Sequence, residues 1–285
     1  MMNPGTPVAV PSTLIYTDHA PAPALARWVA SYWSVEMGAA RPGDLLSVPP
    51  DGCIHLAFGG SDRVLLGPQV APFQVPVRPG LRWFGIRFWP GAARPFLRLP
   101  AAQALRNVAL PAAAVAGLDW VTTLGLRLAG TDAHAVATAD AALLALVPAA
   151  EPPDPRLWAA VQRILLATGP GPSVRHLADV AGMSERHFRR RFRRALDLSP
   201  KELTRIWRFR RCAQTAAQVA EANWAARAAD HGFADQSHLV REFRKLVGLA
   251  PGEFGRRTAA TVHRRIWAPD GAVARDSLPG QRPDA

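Results

Sequence analysis

Two stretches of this chain carry guanidinium, hydroxyl and imidazole side chains at helical spacing, a set suited to binding anions. Arginine presents a planar fork of donors that fits a phosphate group or the edge of guanine with two hydrogen bonds. A row of charges is often only a solvated helix face, so these residues alone leave that alternative open. The residues that would share an outward face are Arg186, Arg189, Arg190 and Arg193 in the first stretch, and Ser237, His238, Arg241, Arg244 and Lys245 in the second.

The two stretches are copies of one pattern, which favours a shared function over a solvated surface. The first runs from Gly182 to Leu203 and the second from Gly232 to Phe254, with one extra residue in the second turn. At an offset of 51 residues, His187 matches His238 and Phe192 matches Phe243. Each copy follows a short Ala-rich segment and a Gly. This is the order of a helix-turn-helix unit, which lays its second helix in the major groove of DNA.

Local signals place the second helix of each unit, the reading helix, at residues 184–196 and 235–247. Ser184 and Asp235 stand where a side-chain oxygen can cap a free backbone N–H. Behind each cap, apolar residues recur at helical spacing and would bury one face. This stripe consists of Phe188, Phe192, Ala195 and Leu196 in the first helix, and of Leu239, Phe243, Leu246 and Val247 in the second.

The connection between the two units is predicted to be one long helix. Ser199 and Glu202 flank Pro200 in the pattern of a capping box with proline at the first helical position. Nothing interrupts the helix from there to about Val219. About 20 residues at ~1.5 Å each give ~30 Å, close to the ~34 Å between successive major-groove faces on one side of a duplex.

The second copy resembles the signature of the AraC/XylS transcription regulators. GFADQSHLVREFRKLVGLAPGEF has the Gly-Phe turn, the Asp-Gln-Ser-His cap and the Gly-x-x-Pro exit of that signature, and the resemblance covers about residues 154–255. Departures at Leu239, Cys212 and Gly255 lie off the predicted reading face. The resemblance implies two helix-turn-helix units joined by a long helix, with double-stranded DNA and RNA polymerase as partners. It also implies that bases or nearby phosphates are contacted by Arg186, Arg189, Arg190, Gln236, Ser237 and Arg241.

Length and charge fit a two-domain chain with a basic second half. The chain has 285 residues, enough for two cores, and a net charge of +12. Residues 1–150 contribute +2, residues 151–255 contribute +7 and residues 256–285 contribute +3. Only two of the 34 basic residues are lysines, which suits bidentate contacts but would equally result from a GC-rich genome. The Pro-, Gly- and Arg-rich residues 256–285 are predicted to form a disordered basic tail.

Neither a disulfide framework nor a membrane segment is indicated. Cys53 and Cys212 are too few for such a framework, and we expect both thiols to be reduced and buried. The N-terminus lacks the basic start and apolar run of a signal peptide. No uninterrupted apolar run reaches the ~18 residues that a membrane span needs. We therefore expect a cytoplasmic protein with no membrane partner.

The first half of the chain has the pattern of a small β-structure followed by helices, so the fold class is predicted as α+β. Short β-prone runs separated by Pro and Gly indicate a sandwich or barrel. The predicted linker, Ala149 to Pro155, leads to an all-α DNA-binding domain over residues 151–255. Trp28 is predicted to begin a strand, and the alternative is that it lies on a short helix that starts at Ala22. The predicted strands are Trp28–Val35, Leu45–Val48, Ile54–Phe58, Val64–Leu66, Phe73–Val77 and Leu81–Phe88, and the predicted helices are Pro95–Leu99, Ala112–Leu118, Trp120–Leu128 and Asp132–Leu146.

Three segments of residues 1–150 resemble the N-terminal domain of one branch of the AraC/XylS regulators. They are PDGCIHL from Pro50 to Leu56, Gly67-Pro68, and GIRFWPGAA from Gly85 to Ala93. The resemblance implies a cupin-like β-sandwich followed by helices, but no particular ligand. A small-molecule effector and a homodimer are both expectations for this domain. Five aromatic residues could line an apolar pocket or simply fill the core: Trp28, Trp33, Trp83, Phe84 and Trp89.

A catalytic or metal site in this half has weak support. Cys53 and His55 would share a strand face and, with Asp51, could form a nucleophile, a base and an orienting group. The simpler interpretation is a buried thiol and a hydrogen-bonded histidine beside a Pro-Asp-Gly turn. For a cupin metal site this half has only His19, His55 and His134, without a His-x-His pair. We therefore expect no enzyme activity, no metal and no cofactor.

The function indicated by the whole sequence is a sequence-specific DNA-binding transcription regulator. Two alternatives stay open. In one, the DNA-binding domain is fused to a catalytic N-terminal domain. In the other, the protein is an architectural DNA binder whose affinity depends steeply on salt and little on sequence.

Overall fold

An N-terminal antiparallel β-sandwich is followed by a helical C-terminal region. The computed structural model describes residues 14–38, 45–97, 105–115, 117–147, 153–218 and 224–254. The predicted linker, Ala149 to Pro155, is described only from Pro153 onward. The predicted basic tail, residues 256–285, lies outside the described residues.

The strands of the described residues form two antiparallel sheets. The larger sheet has the strand order β1-β2-β7-β4-β5-β8, and the smaller sheet pairs β3 with β6. One face of the larger sheet packs on the smaller sheet, and its other face packs on helices. The strands are β1 (Leu14–His19), β2 (Val29–Met37), β3 (Leu45–Val48), β4 (Ile54–Gly59), β5 (Asp62–Leu66), β6 (Phe73–Pro76), β7 (Arg82–Phe88) and β8 (Ala109–Pro111).

The helices cover the outer face of the larger sheet and build the C-terminal region. Tyr32, on β2, donates its hydroxyl to Asp140 over 2.7 Å and so ties the third helix to the sheet. Among the helices of the described residues, none combines the length and the apolar character needed to cross a bilayer. The helices are α1 (Arg94–Leu97), α2 (Asp119–Arg127), α3 (Asp132–Leu146), α4 (Pro155–Leu165), α5 (Val174–Val180), α6 (Glu185–Leu196), α7 (Pro200–Gln218), α8 (Trp224–Asp230) and α9 (Gln236–Val247).

All six predicted strands are present within two residues of their predicted bounds, and Leu45–Val48 is confirmed without change. The strand Leu14–His19 was not among those predicted. Trp28 lies neither in a strand nor in a helix. It occupies the turn between a 3-10 helix at Pro23–Leu25 and β2, where its N–H donates to the Leu25 oxygen over 2.9 Å.

The helix predicted over Ala112–Leu118 is wrong. Within this range only Ala112–Ala114 form a short 3-10 turn, which directly follows β8, the strand that pairs with β5. Gly117 then takes a φ of +82°, a left-handed conformation that does not continue a right-handed helix.

Three buried clusters hold these elements together. One lies between the two sheets and includes Tyr16 and Leu46. The largest lies on the other face of the larger sheet and runs from Phe88, on β7, to Phe192, on α6. The third, around Phe243, is formed mainly by residues of α7, α8 and α9. The first helix pair of the C-terminal region therefore shares a core with the sandwich, whereas the second pair has a core of its own.

Candidate nucleic-acid interface and interior cavity

A cavity of about 270 Å³ lies between the two sheets of the sandwich. At one end are Asp62 and Arg78, which are solvent-accessible and lie 3.5 Å apart. The opposite end is closed by buried polar residues of the sandwich and by Arg210 from α7. Most of the wall between these ends is apolar, with contributions from Trp33, Val35, Met37, Leu46, Val64 and Trp83.

Two tryptophans lie flat against the larger sheet because their cross-strand neighbours are glycines. Trp33 pairs with Gly85, and Trp83 pairs with Gly59. A Cβ atom at Gly85 would lie 2.1 Å from the Trp33 ring, and one at Gly59 would lie 2.4 Å from the Trp83 ring. Each indole therefore occupies space that the side chain of any residue other than glycine would fill at the paired position. Of the five aromatic residues considered for a pocket, these two line the cavity, whereas the core on the other face holds Trp28, Phe84 and Trp89.

Asp51 is the centre of a hydrogen-bonded cluster at the closed end. The Trp33 indole N–H donates to His55 Nδ1 over 3.2 Å, so the His55 proton lies on Nε2, which donates to Asp51 Oδ2 over 3.0 Å. Arg87 Nε lies 3.2 Å from the same oxygen. Burial alone would raise the pKa of Asp51, but His55, followed by Arg87 and Arg210, holds this pKa well below its usual value.

The same geometry gives no support to a catalytic cysteine. Cys53 is 2% exposed, and burial, followed by the charge of Asp51, raises the pKa of its thiol well above the usual value. A nucleophilic cysteine must be a thiolate, which these surroundings disfavour. Within the described part of the chain, no three His, Cys, Asp or Glu residues are grouped so as to hold a metal ion.

The first helix-turn-helix unit consists of α5 and α6. Gly182 makes the turn between them with a φ of +62°, a left-handed conformation suited to glycine. Ser184 is the predicted cap, and its hydroxyl oxygen accepts the N–H of His187 over 3.4 Å. Phe188 and Phe192 are fully buried, as the apolar stripe predicts. The predicted reading side chains all lie on the exposed side: Arg186, Arg189, Arg190 and Arg193.

Two of the basic side chains of α6 are held by carboxylates. Arg189 donates to Glu185 over 2.9 Å along the exposed helix surface. Arg191, which was not predicted to contact DNA, donates to Asp154 at the start of α4 over 2.7 Å. The exposed pair between Arg189 and Glu185 is weak, so a phosphate could replace Glu185 as the partner of Arg189.

The second unit repeats this arrangement with α8 and α9. Gly232 makes its turn with a φ of +69°, and Asp235 accepts the N–H of His238 over 2.6 Å as the predicted cap. Leu239 and Phe243 are fully buried. The exposed polar side chains of α9 are Gln236, Ser237, Arg241, Arg244 and Lys245.

His238 differs from the other predicted DNA contacts because its ring is only partly exposed. Its Nδ1 accepts the N–H of Ala234 over 3.3 Å, and the ring meets the edge of Phe233 with the ring centres 5.5 Å apart. This side chain therefore stabilises the turn before α9. Its Nε2 is the atom that is left for an external partner.

The connecting helix α7 contains 19 residues, which at ~1.5 Å each correspond to about 28 Å. The predicted capping box is present at its start. Ser199 Oγ accepts the Glu202 N–H over 3.2 Å, and the Glu202 carboxylate accepts the Ser199 N–H over 2.8 Å. The helix was predicted to reach about Val219, and the described residues break off after Gln218. Further along, Phe209 contacts Phe243 of α9 with the ring centres 4.8 Å apart.

Two known families match segments of this chain, one in each half. A family described as a helix-turn-helix domain matches residues 177–257, which include most of both units and all of α7. This match coincides with the AraC/XylS signature and with the two capped helix pairs. The C-terminal region is an AraC-type helix-turn-helix domain. A second family, described as a domain of unknown function (DUF6597), matches residues 17–110.

Two curated relatives match this chain over only part of their own length. The invasion protein InvF of Salmonella typhi and that of Salmonella typhimurium are each 32% identical over 88 residues. The matched segment is 31% of this chain and 40% of each InvF protein. The chain therefore spans less than half the length of these relatives.

Two solved structures show more distant similarity to this chain. An AraC-type transcriptional regulator from Chromobacterium violaceum has 23% identity and a TM-score of 0.35, and the match covers 37% of this chain and 93% of that one. ToxT from Vibrio cholerae O395 has 10% identity and a TM-score of 0.39, and the match covers 86% of this chain and 96% of ToxT.

The AraC-type domain contacts the sandwich through residues that the sequence did not single out. Arg94 of α1 donates to Asp197, which ends α6, over 2.6 Å. Trp207 and Arg210 are one helical turn apart on α7. Trp207 donates its indole N–H to the main-chain oxygen of Asp51, and the charge of Arg210 helps to lower the pKa of Asp51. The helical spacing of Trp207 and Arg210 is the one sequence signal for this contact. Arginines are so frequent on α7 that this spacing does not distinguish Arg210 from its neighbours.

Proposed function

We propose that this protein is a sequence-specific transcription regulator that places α6 and α9 in successive major-groove segments of double-stranded DNA. One observation carries the proposal: two capped helices of the same type, each with an exposed polar face, are attached to the single helix α7. At about 28 Å, α7 approaches the ~34 Å repeat of the duplex, so one chain could serve two neighbouring groove segments.

The two reading helices would combine specific and non-specific contacts. Arg190 and Arg241 are at matching positions of the two copies, and we assign them to base edges, where an arginine can form two hydrogen bonds with guanine. The other contacts would fix the position of the domain on the phosphates or read neighbouring bases. They are Arg186, Arg189, Arg193, Gln236, Ser237 and His238.

The sandwich would control how these helices are presented, by sensing a small molecule or by forming a homodimer. Support for this role comes from α7, which supplies Arg210 to the cavity wall and bonds to Asp51 through Trp207. A change in the cavity would therefore act directly on the helix that joins the two units. The chain would divide near residue 150 into a sensing and a DNA-binding domain, with RNA polymerase as the further partner of the regulator.

A genome-wide binding profile of the native protein tests the proposal and yields its operator. We expect discrete sites, and a footprint on each that protects two major-groove segments about 10 base pairs apart on one side of the duplex. Occupancy spread evenly along the genome, or protection of only one groove segment, would contradict the two-helix arrangement.

The architectural alternative is separated from this proposal by a salt titration on two duplexes. A regulator should bind its operator about 10³-fold or more tightly than random DNA at physiological salt. An architectural binder should show the same steep salt dependence on both duplexes and little difference between them.

A further inference from the structure

We infer that Arg205 and Glu242 are positioning residues, whose ion pair fixes the direction of α9 relative to α6 and so sets the spacing of groove segments that the protein accepts. This role rests on the proposed function, because it concerns how the two reading helices are oriented on DNA. Neither residue is among the predicted DNA contacts. Their contact joins α9 to α7, the helix that follows the first unit directly.

Arg205 of α7 faces Glu242 of α9 where the two helices pack together. Arg205 Nε lies 2.6 Å from Glu242 Oε2, and the two side chains are only 24% and 13% exposed. Arg205 Nε, Arg205 Nη2 and Glu242 Oε2 are shielded from solvent, and none of them has a hydrogen bond to any other group of the described residues. Each charge therefore depends on the other, and a shift of α9 would leave both charges buried and uncompensated.

A second arginine of α7 holds the turn of the same unit. Arg208, one helical turn after Arg205, donates to the main-chain oxygen of Gly232 over 3.2 Å. Its guanidinium lies 4.6 Å from the centre of the Phe233 ring. Burial lowers the pKa of Arg208, and the charge of Glu242 opposes that shift. Glu242 is thus attracted by two arginines one turn apart, which opposes sliding of α9 along α7.

The remaining contacts hold the second unit in place without specifying the direction of α9. Phe209 and Phe243 contact each other with the ring centres 4.8 Å apart, but apolar burial is non-directional. A Cβ atom at Gly232 would lie 2.3 Å from Pro170, so this contact limits how closely the units approach. A buried ion pair tolerates few arrangements, and fixing a register is the best-attested use of buried polar groups.

The pair lies close to the predicted base contacts of both reading helices. Glu242 directly follows Arg241, so the two side chains point about 100° apart around α9, and fixing one direction fixes the other. Arg205 lines a surface groove together with Glu185 and Arg189 of α6. A rotation of α9 would therefore move Arg241 away from its base while α6 stays in its groove segment.

The test measures binding of the full-length protein to operators with one base pair added or removed between the two groove segments. One base pair rotates the segments by about 34° and shifts them by about 3.4 Å. The wild type should bind both altered operators at least about tenfold more weakly, because one reading helix loses its base contacts. The neutralised variant, Arg205→Met with Glu242→Gln, should lose less than about threefold, because α9 is free to follow the shifted segment.

A second double variant is the matched control. Arg191→Met with Asp154→Asn also removes one ion pair, of 2.7 Å, at unchanged net charge, and asparagine can still cap α4. This pair joins α6 to the start of α4 and does not bridge the two units, so the control should keep the wild-type spacing preference. An equal loss of affinity on all three spacings by the neutralised variant would indicate a weakened fold and contradict the positioning role.

A measurement without DNA separates the positioning role from the proposed function. Spin labels at Arg194→Cys in α6 and Arg244→Cys in α9 report the distance between the reading helices by double electron–electron resonance. Both positions are exposed, whereas the native Cys53 and Cys212 are buried. We expect one narrow distance distribution in the labelled parent protein and a broader one in the neutralised variant.

The positioning role is overturned if the wild type accepts both altered operators, or if the neutralised variant keeps the wild-type spacing preference or distance distribution. The first outcome needs no variant. If the neutralised variant does not fold, Glu242→Gln alone removes the charge at unchanged side-chain shape and should show the same loss of preference. Equal binding of the wild type to operator and random DNA would contradict the proposed function instead, and the distance measurement would still decide the positioning role.

Discussion

Trp207, on the helix that joins the two helix-turn-helix units, donates its indole N–H to the main-chain oxygen of Asp51 over 3.1 Å. The carboxylate of the same aspartate lies within the field of Arg210, one turn further along α7. One residue of the sandwich thus bonds to one turn of the connecting helix and is influenced by a charge on the next. This contact links the interior of the sandwich to the spacing element of the AraC-type domain.

Replacing Trp207 with phenylalanine should destabilise the full-length protein by about 1–3 kcal/mol, because the buried Asp51 oxygen loses its donor. The measurement is urea unfolding followed by circular dichroism. Trp158→Phe is the matched control, since its indole N–H has no partner to lose within the described residues. Equal losses in both variants would show that ring volume, rather than the hydrogen bond, is responsible.

Asp51 should make stability sensitive to acid. Its pKa is lowered in the folded protein, so the unfolded chain, with a pKa of about 3.9, binds the proton first as pH falls. The contribution of the carboxylate is complete above about pH 5. Between the pKa of Asp51 in the unfolded chain and its lower pKa in the folded protein, this contribution to the free energy of unfolding falls by about 1.4 kcal/mol per pH unit.

Asp51→Asn tests this slope in urea unfolding between pH 7 and pH 3. The variant should be less stable at neutral pH, because Arg87 loses one of its two carboxylate partners, but its stability should fall less steeply below about pH 4. Asp62→Asn is the control, because its carboxylate is 44% exposed and should leave the pH profile unchanged. A wild-type slope retained by Asp51→Asn would contradict the assignment.

The matching arginines of the two reading helices should contribute separately to operator binding. Arg190→Ala and Arg241→Ala should each weaken operator binding by about 1–3 kcal/mol and relax base preference in one groove segment. Fluorescence anisotropy on operator and random duplexes at fixed salt measures both effects. Arg163→Ala, an exposed position of α4, is a charge-matched control. A loss of the same size on random DNA would make the residue a phosphate contact instead.

The Asp235 cap should stabilise the second unit more than the rest of the protein. Asp235→Ala removes the acceptor of the His238 N–H and should cost about 1 kcal/mol. Because this unit has its own buried cluster, amide hydrogen exchange should accelerate in α9 and not in α6. Asp235→Ser retains a capping oxygen and should behave nearly as the wild type. Uniform acceleration would show that the two units unfold together.

Local signals predicted the reading helices well and failed beside a strand whose partner is distant in the chain. Ser184, Ser199 and Asp235 were recognised as caps because a cap and the N–H groups it serves lie within three residues of each other. The helix predicted over Ala112–Leu118 forms only a 3-10 turn at Ala112–Ala114. The residues just before it, Ala109–Pro111, pair with β5, more than 40 residues earlier in the chain, and no local pattern contains that partner.

By itself, the sequence determined the repeat, its caps, its buried stripes and its exposed arginines, because all of these depend on residues within one or two helical turns. Only the tertiary structure decided that Trp33 and Trp83 line a cavity, that Asp51 centres a buried polar cluster, and that α7 contributes to its wall. Trp207 and Asp51 are 156 residues apart. Contacts at such separation depend on how sheets and helices pack, and packing leaves no periodic trace in the chain.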